Sequence, residues 1–294
     1  MTDSPAAHTL AVEAVTVGYD DRVVVHDMTL AIAPGAITAI VGANGCGKST
    51  LLRAMARLLP VRSGRVLLDG VPIDSIPTRQ VAGVLGLLPQ SPVCPEGIAV
   101  ADLVGRGRYP HQGWFRRWTA QDDAVVEQAL VATDILDLAD RPVDELSGGQ
   151  RQRVWIAMAL AQQTDVLLLD EPTTFLDVAH QVDVLDLLAD LNRRHGTTIV
   201  MVLHDLNLAA RYADSLVALT DGRLYAQGDP TDVVTEQMVR DVFGMTARVI
   251  PDPVSGTPLV LPVGRHRTGR IAQPTDEGTV VAPPVERPVA QPVL

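Results

Sequence analysis

The residues most suited to chemistry are Gly42-Ala43-Asn44-Gly45-Cys46-Gly47-Lys48-Ser49, which fit the spacing G-x-x-x-x-G-K-[ST] and run on into Thr50. Glycines at 42, 45 and 47 let the backbone turn so that several N–H groups converge, and a helix starting there adds the positive end of its dipole. Such a nest takes an anion. The Lys48 ammonium can reach the outer phosphates of a polyphosphate, and the Ser49 hydroxyl can ligate magnesium. The alternative is a glycine-rich turn with a chance lysine. The neighbours weigh against it: Ala36–Val41 is an apolar run of strand length, and Ser49–Leu59 carries Leu51, Leu52, Met55, Leu58 and Leu59 on one helical face before Pro60. Cys46 has no task in phosphate binding and reads as a small residue that fits the loop.

A second centre is Val166-Leu-Leu-Leu-Asp170-Glu171-Pro172, a continuous apolar strand ending in two carboxylates. A run this apolar suits a strand covered on both faces, and ligands gather at the C-terminal edge of such parallel sheets. There Asp170 can bind magnesium and Glu171 can activate a water. As a lone pair the two acids would rather cap the next turn; the phosphate loop favours the chemical reading. His204 ends another apolar strand, Thr197–Leu203, where a side chain can face a bound phosphate. Gln90 ends Val84–Leu88, and from sequence alone it reads as a solvated loop residue. Tyr19 reads either as an ordinary turn aromatic or as a stacking face for a purine.

In Leu146-Ser147-Gly148-Gly149-Gln150, the pattern Ser-x-x-Gln is that of a capping box. A cap alone does not explain two glycines in the first helical turn, where each costs about 1 kcal/mol relative to alanine. A bare helix start with a hydroxyl is suited to meeting a phosphate closely.

The elements that position these residues follow from periodicity. Leu10–Val17 and Val23–Leu30 alternate as strands around the turn Gly18–Arg22, and Gly64–Gly70 is a further strand and turn. Ile98–Asp140 is helical in pattern, with Thr119-Ala-Gln-Asp122 as a capping box. This segment also gathers Arg106, Arg108, Tyr109, Trp114, Phe115, Arg116, Arg117 and Trp118, although aromatic residues are only 3% of the chain. Arg, Trp and Tyr together suit interface anchors; a helical core with solvated arginines is the alternative. Asp177–Arg194 is an amphipathic helix with Val178, Val182, Leu185 and Ala189 as its stripe, ended by Gly196. Ser215–Leu219 is a strand, Asp221–Gly228 resembles a hairpin, and Thr231–Phe243 is helical.

The 294 residues, 47% of them hydrophobic, can supply a sizeable core. Two cysteines without metal-ligand spacing suit a reducing cytosol. Residues 1–8 lack the apolar core of a secretion signal, and no apolar run approaches the ~20 residues of a membrane span. The formal net charge of -11 argues against a general nucleic-acid binder. Arg265–Leu294, rich in proline and charge, reads as a disordered tail.

The phosphate loop, Leu146-Ser-Gly-Gly-Gln150, Leu169-Asp-Glu-Pro172 and a strand-end His204, in that order, resemble the ATP-binding cassette family of transport ATPases over roughly Leu10–Arg265. The resemblance implies an α/β fold: a P-loop NTPase (RecA-like) core with a mixed sheet, an antiparallel β subdomain, and an α-helical subdomain at about 91–145 inserted in an ATP-binding domain of 9–264. It implies ATP and Mg²⁺ as ligands. Tyr19 would stack on adenine; Gln90, with Ser49 and Asp170, would attend Mg²⁺ and sense the membrane partner. Asp177 would lie at a dimer interface, and Ser147, Gly148, Gly149 and Gln150 would contact the γ-phosphate held by a second copy. Glu171 would be the general base, with Lys48 and His204 on the γ-phosphate.

Gly105-Arg-Gly-Arg-Tyr-Pro-His111, Arg117-Trp118, Glu171–Asp177 and Asp252–Pro258 further resemble ATPase subunits of iron(III)-siderophore importers, most nearly the ferric-enterobactin type. Phe175 stands where a tryptophan is common in that group. The implied partners are membrane permeases that dock on the helical segment and, indirectly, a substrate-binding protein, with the chain on the cytoplasmic side of the membrane. Vitamin B12 or haem import by the same architecture is the near rival. A non-transport cassette ATPase acting on DNA or ribosomes would usually carry a coiled-coil insertion or a second cassette. This chain shows one phosphate loop and no sustained heptads.

Overall fold

The computed structural model describes residues 8–90, 92–112 and 118–264. Residues up to Pro262 form one compact unit, to which the following account refers; Val263–Leu294 form a second, of which only Val263 and Gly264 are described. The expected tail at 265–294 and the cluster Trp114, Phe115, Arg116 and Arg117 lie outside the described residues.

The chain opens with β1 (Leu10–Tyr19) and β2 (Arg22–Ile32), paired antiparallel, and enters the central sheet at β3 (Ile37–Gly42). The phosphate loop follows, then α1 (Lys48–Met55). This helix is shorter than its apolar spacing suggests: Arg57 takes a left-handed φ of 58° well before Pro60, and Leu58 is 65% exposed rather than on the buried face. The stop is a backbone cap, in which Leu58 returns its N–H to Arg53 O at 2.9 Å across the left-handed Arg57, while the Arg57 guanidinium donates to the carbonyls of Ile76 and Asp74.

Next come β4 (Ser63–Leu68), β5 (Val71–Pro72), α2 (Thr78–Val84) and β6 (Leu85–Leu88). The helical segment comprises α3 (Val100–Gly105), a 3-10 turn at Arg106–His111 and α4 (Ala120–Ala132), then α5 (Gly148–Ala161). Beyond lie β7 (Val166–Asp170), α6 (Val178–His195), β8 (Thr198–Val202), α7 (Leu206–Tyr212), β9 (Ser215–Thr220) and β10 (Arg223–Gly228). The helix expected over 231–243 is two pieces, α8 (Pro230–Val233) and α9 (Glu236–Phe243), because the Thr235 hydroxyl accepts the Met238 N–H and starts a new helix. A hairpin of β11 (Ala247–Pro251) and β12 (Pro258–Pro262) closes the unit; periodicity had not revealed it.

The central sheet runs β10-β9-β3-β8-β7-β6, parallel from β9 to β6 and antiparallel only at β10; a second, antiparallel sheet runs β2-β1-β4-β5. Alternation along the central strands sorts the core into two layers. Ile40, Leu168, Val200 and Val202 pack with Leu51, Leu52 and Met55 of α1 and with the antiparallel sheet. Ala39, Val41, Leu167, Leu169, Ile199 and Met201 face the other way, toward α5, α6 and α7. Strands β3, β7 and β8 are buried along their whole length, as continuous apolar runs require. On α6 the buried stripe is Val184, Leu185 and Leu188, whereas Val178, expected on it, is 76% exposed. Val182 is half-buried, and full burial begins only at Val184.

One buried ion pair sits in the helical segment. Arg108 Nε lies 3.1 Å from Asp122 Oδ1, with side chains only 6% and 3% exposed. The same guanidinium donates to Ala161 O and Gln163 Oε1, and Asp122 accepts from the Thr119 hydroxyl and N–H. Arg108 is therefore a staple between the segment and the end of α5, not an exposed anchor. Tyr109 and Trp118 do stand on the surface, at 60% and 45% exposure.

Candidate functional site

The phosphate loop bridges β3 and α1 through three glycines at positive φ: Gly42 at 153°, Gly45 at 79° and Gly47 at 102°. At Gly42 a Cβ would fall 2.4 Å from Leu219 O, so the loop lies against β9 with no room for a side chain. Gly47 caps α1 without any side-chain hydrogen bond, leaving the first backbone N–H groups to a ligand. Asn44 and Gly45 are exposed at the tip, Ala43 is half-buried, and Thr50 is buried under the first turn. The buried Lys48 folds back and donates from Nζ to Gly42 O at 2.9 Å and Ala43 O at 3.0 Å, filling the nest with its own cation.

One support of this loop escaped the sequence reading. Gly222, in the turn between β9 and β10, donates its N–H to Cys46 O at 3.1 Å and accepts the His26 N–H at 2.8 Å. The Asp-Gly pair reveals a turn; that the turn supports the loop is visible only in three dimensions. The Cys46 thiol is buried, and burial pushes its pKa up against the opposing charge of Lys48, keeping it a neutral thiol.

From the loop, contacts run along the C-terminal edge of the sheet. Ser49 Oγ donates to Asp170 Oδ1 at 2.8 Å, while Asp170 Oδ2 is buried without a hydrogen-bond partner. Burial raises the Asp170 pKa foremost; the Ser49 hydrogen bond opposes it, and the negative charge of Glu171 adds to it. A hydroxyl and a carboxylate with one oxygen unsatisfied form a donor set of hard oxygens, which fits a magnesium ion. Among the described residues no group of three or more His, Cys, Asp or Glu side chains could hold a metal alone.

Glu171 adopts a φ of 56°, a conformation costing a non-glycine residue on the order of 1–2 kcal/mol. The turn brings its carboxylate among three partners. Gln90 Nε2 donates to Oε2 at 2.8 Å, Thr174 Oγ1 donates to the same oxygen at 3.1 Å, and His204 Nε2 lies 2.6 Å from Oε1. Gln90 is exposed in its loop, as the sequence suggests, yet it also meets Glu171, which its loop position does not reveal. Thr174 was not anticipated; its position three residues after Glu171 is the local signal, since its N–H also closes that turn on Glu171 O.

The remaining candidates lie further out. Tyr19 is 41% exposed at the end of β1 and accepts a hydrogen bond from Arg53 of α1 at 3.3 Å. Asp177 caps α6, accepting the His180 N–H at 3.0 Å; that hydrogen bond, joined by the imidazole, holds its pKa low. Ser147 and Gln150 make both bonds of a capping box at the start of α5, so their hydrogen bonds serve the helix and not the phosphate loop. A Cβ on Gly148 would meet only Phe175 Cβ at 3.8 Å, an ordinary contact, and its φ is not left-handed. Nothing inside the chain thus requires glycine there. Gly148 and Gln90 share a cavity of about 430 Å³ with Phe175, Trp155 and Arg151, and Gln152 Nε2 ties α5 to Pro172 O behind the Glu171 turn.

Comparison with known proteins adds a family to this geometry. Residues 25–174 match the family model described as ABC transporter. The petrobactin import ATP-binding protein FpuD of Bacillus anthracis is 52% identical over 261 residues, covering 89% of this chain and 96% of that one. The ferric enterobactin transport ATP-binding protein FepC of Escherichia coli (strain K12) is 51% identical over 265 residues, covering 90% and 97%. Among solved structures, the dimeric structure of MJ0796, a bacterial ABC transporter cassette, superposes with a TM-score of 0.68 at 26% identity, over 75% of this chain and 98% of that one.

Proposed function

The chain belongs to the ABC transporter family, and from that premise we propose that it is the ATP-hydrolysing subunit of an importer that carries iron(III)-siderophores across the cytoplasmic membrane. The observation that carries the catalytic part is the run of contacts from Ser49 to Asp170 and from Glu171 to Gln90 and His204, next to a loop whose glycines leave backbone donors free. Petrobactin and ferric enterobactin in the names of relatives matched over most of their length support the siderophore class and favour it over vitamin B12 or haem. We read residues 9–264 as the ATP-binding domain.

In this reading the triphosphate enters the loop and Lys48 leaves Gly42 O and Ala43 O for the phosphate oxygens. Tyr19 offers its exposed ring to the adenine. Ser49 and Asp170, with Gln90 as a further candidate, would hold a magnesium ion, whose charge would offset that of the phosphates. Glu171 accepts the proton of the attacking water, while the His204 imidazole turns from Glu171 to hydrogen-bond the γ-phosphate. Ser147, Gly148, Gly149 and Gln150 act on the nucleotide of a second copy; the two unexplained glycines at an exposed helix start support this. Asp177 lies at the same seam, flanked by Phe175 and Val178 at 79% and 76% exposure, which a second copy would cover.

In this reading the chain works with permease partners from a peripheral position on the cytoplasmic face; no helix among the described residues is long and apolar enough to cross a membrane. The permease surface is the groove lined by Ile98, Ala101, Arg106, Tyr109, Trp118 and Val126. The test is expression with candidate permeases: the chain should co-purify with a siderophore permease pair and hydrolyse ATP. Wild-type co-purification of Trp118→Ala would remove the assigned surface, and absence of magnesium-dependent ATP hydrolysis would remove the function.

A further inference from the structure

Helix α7 begins just beyond His204, and its first turn is tied on two sides. Asp205 caps it, accepting the N–H groups of Asn207 at 2.8 Å and Leu208 at 3.0 Å. The Asn207 side chain then reaches out of the helix to the C-terminal hairpin: Oδ1 accepts the Val260 N–H at 2.7 Å, and Nδ2 donates to Val260 O at 3.3 Å. One amide thus takes both backbone groups of one strand residue, as a neighbouring strand would. Val260 faces Val249 across the hairpin. In an antiparallel pair a residue's N–H and C=O point to the same side, so those of Val260 point away from β11 and form no part of its ladder. They are spent on α7 alone.

The hairpin is otherwise firmly held. Val260 is 3% exposed in the same apolar cluster as Ala209 and Ala210 of α7, and Arg248 of β11 pairs with Glu236 of α9 at 2.8 Å. The connection that carries His204 has a fixed point on each side. Leu203 donates its N–H to Ile40 O of the phosphate-loop strand at 3.2 Å, and α7 is clasped to β12.

We propose that Asn207 is a positioning residue for the hydrolytic step: by holding α7 to β12 it sets where the His204 imidazole stands, and it makes the C-terminal hairpin part of the catalytic geometry. The inference rests on the reading of His204 as the γ-phosphate contact. A misplacement of about 1 Å at a reacting centre costs as much as 100-fold in rate without a comparable loss of binding. Because Asn207 acts through α7 on a side chain that is itself 46% exposed, a smaller loss is expected.

The test compares the full-length wild type with His204→Ala, Asn207→Ala, Val260→Pro and the double variant Asn207→Ala/Val260→Pro, measuring ATP affinity and steady-state hydrolysis. Asn207→Ala and Val260→Pro should each lower kcat about 5- to 10-fold with ATP Kd within about 2-fold, and the double variant should be no worse than either alone, since both cut one clasp. Asn207→Asp, which keeps the acceptor for the Val260 N–H, should fall between wild type and Asn207→Ala; it carries the test if Val260→Pro does not fold. Unchanged kcat in Asn207→Ala beside a His204→Ala that has lost turnover would overturn the inference and leave the assigned function standing. Fully additive losses, or parallel loss of binding and kcat, would also overturn it. Full turnover in His204→Ala would instead remove the role assigned to His204, and the inference with it.

Discussion

His204 Nε2 lies 2.6 Å from Glu171 Oε1, while Gln90 and Thr174 occupy the other carboxylate oxygen. The proposed base and the strand-end histidine satisfy each other. In the proposed mechanism a γ-phosphate that takes the His204 imidazole frees one oxygen of Glu171 for water.

Glu171→Gln keeps this geometry and removes the basicity. Hydrolysis should fall by at least about 100-fold, the order of effect of a general base, while ATP binding persists and an ATP-bound dimer accumulates. Phosphate release and size-exclusion chromatography with ATP and magnesium check this; wild-type turnover would end the assignment of Glu171 as base.

Asp170→Asn should uncouple stability from metal binding. An acid whose folded pKa is raised above the unfolded value of about 3.9 favours the fold while protonated, and it costs stability as pH rises from the unfolded to the folded value. Replacing the acid should raise the nucleotide-free Tm at pH above the folded value and abolish the extra stabilisation that magnesium adds to ATP. A lowered Tm in differential scanning fluorimetry, or an intact magnesium increment, would contradict this.

Gly222→Ala should damage the phosphate loop from behind. Gly222 sits at φ +73°, and an added Cβ would lie 2.0 Å from Val24 O, so the turn must move and take its hydrogen bond to Cys46 O with it. The expected cost is upward of about 1 kcal/mol in stability, with weaker ATP binding. Titration with a fluorescent ATP analogue checks the second effect; unchanged affinity would show that the loop stands unsupported.

Arg108→Ala should cost about 3–5 kcal/mol, because it strands the buried Asp122 carboxylate. Arg108→Met with Asp122→Leu should cost much less. The Thr119 hydroxyl chiefly, with Arg108, holds the Asp122 pKa low, so its contribution is complete above the unfolded value of about 3.9 and is lost as pH falls through the lower folded value. Urea midpoints at pH 7 and pH 3 should therefore differ more for the wild type than for the paired variant.

How far the molecule was legible in its sequence varies with the reach of each signal. The phosphate loop, the capping boxes at Thr119 and Ser147 and the buried strands were readable because each depends on residues within one turn or one strand. Apolar periodicity was readable only in kind. It placed Leu58 and Val178 on buried faces, whereas the side of a helix that is covered depends on where the helix stops and what overhangs it.

Other features needed the folded chain. Arg108 looked like one arginine among several until the end of α5 and Asp122 closed around it. Gln90 stays exposed, but its 2.8 Å hydrogen bond to Glu171, 81 residues away, exists only in the folded chain. The hairpin at the C-terminus and its clasp by Asn207 carry no periodic signal at all. The sequence by itself determined which chemical groups are present and which local elements bear them, because backbone sterics, capping and alternation act over a few residues. The tertiary structure alone decided which groups share a site, because an ion pair or a buttressed turn exists only when distant segments meet and water is excluded between them.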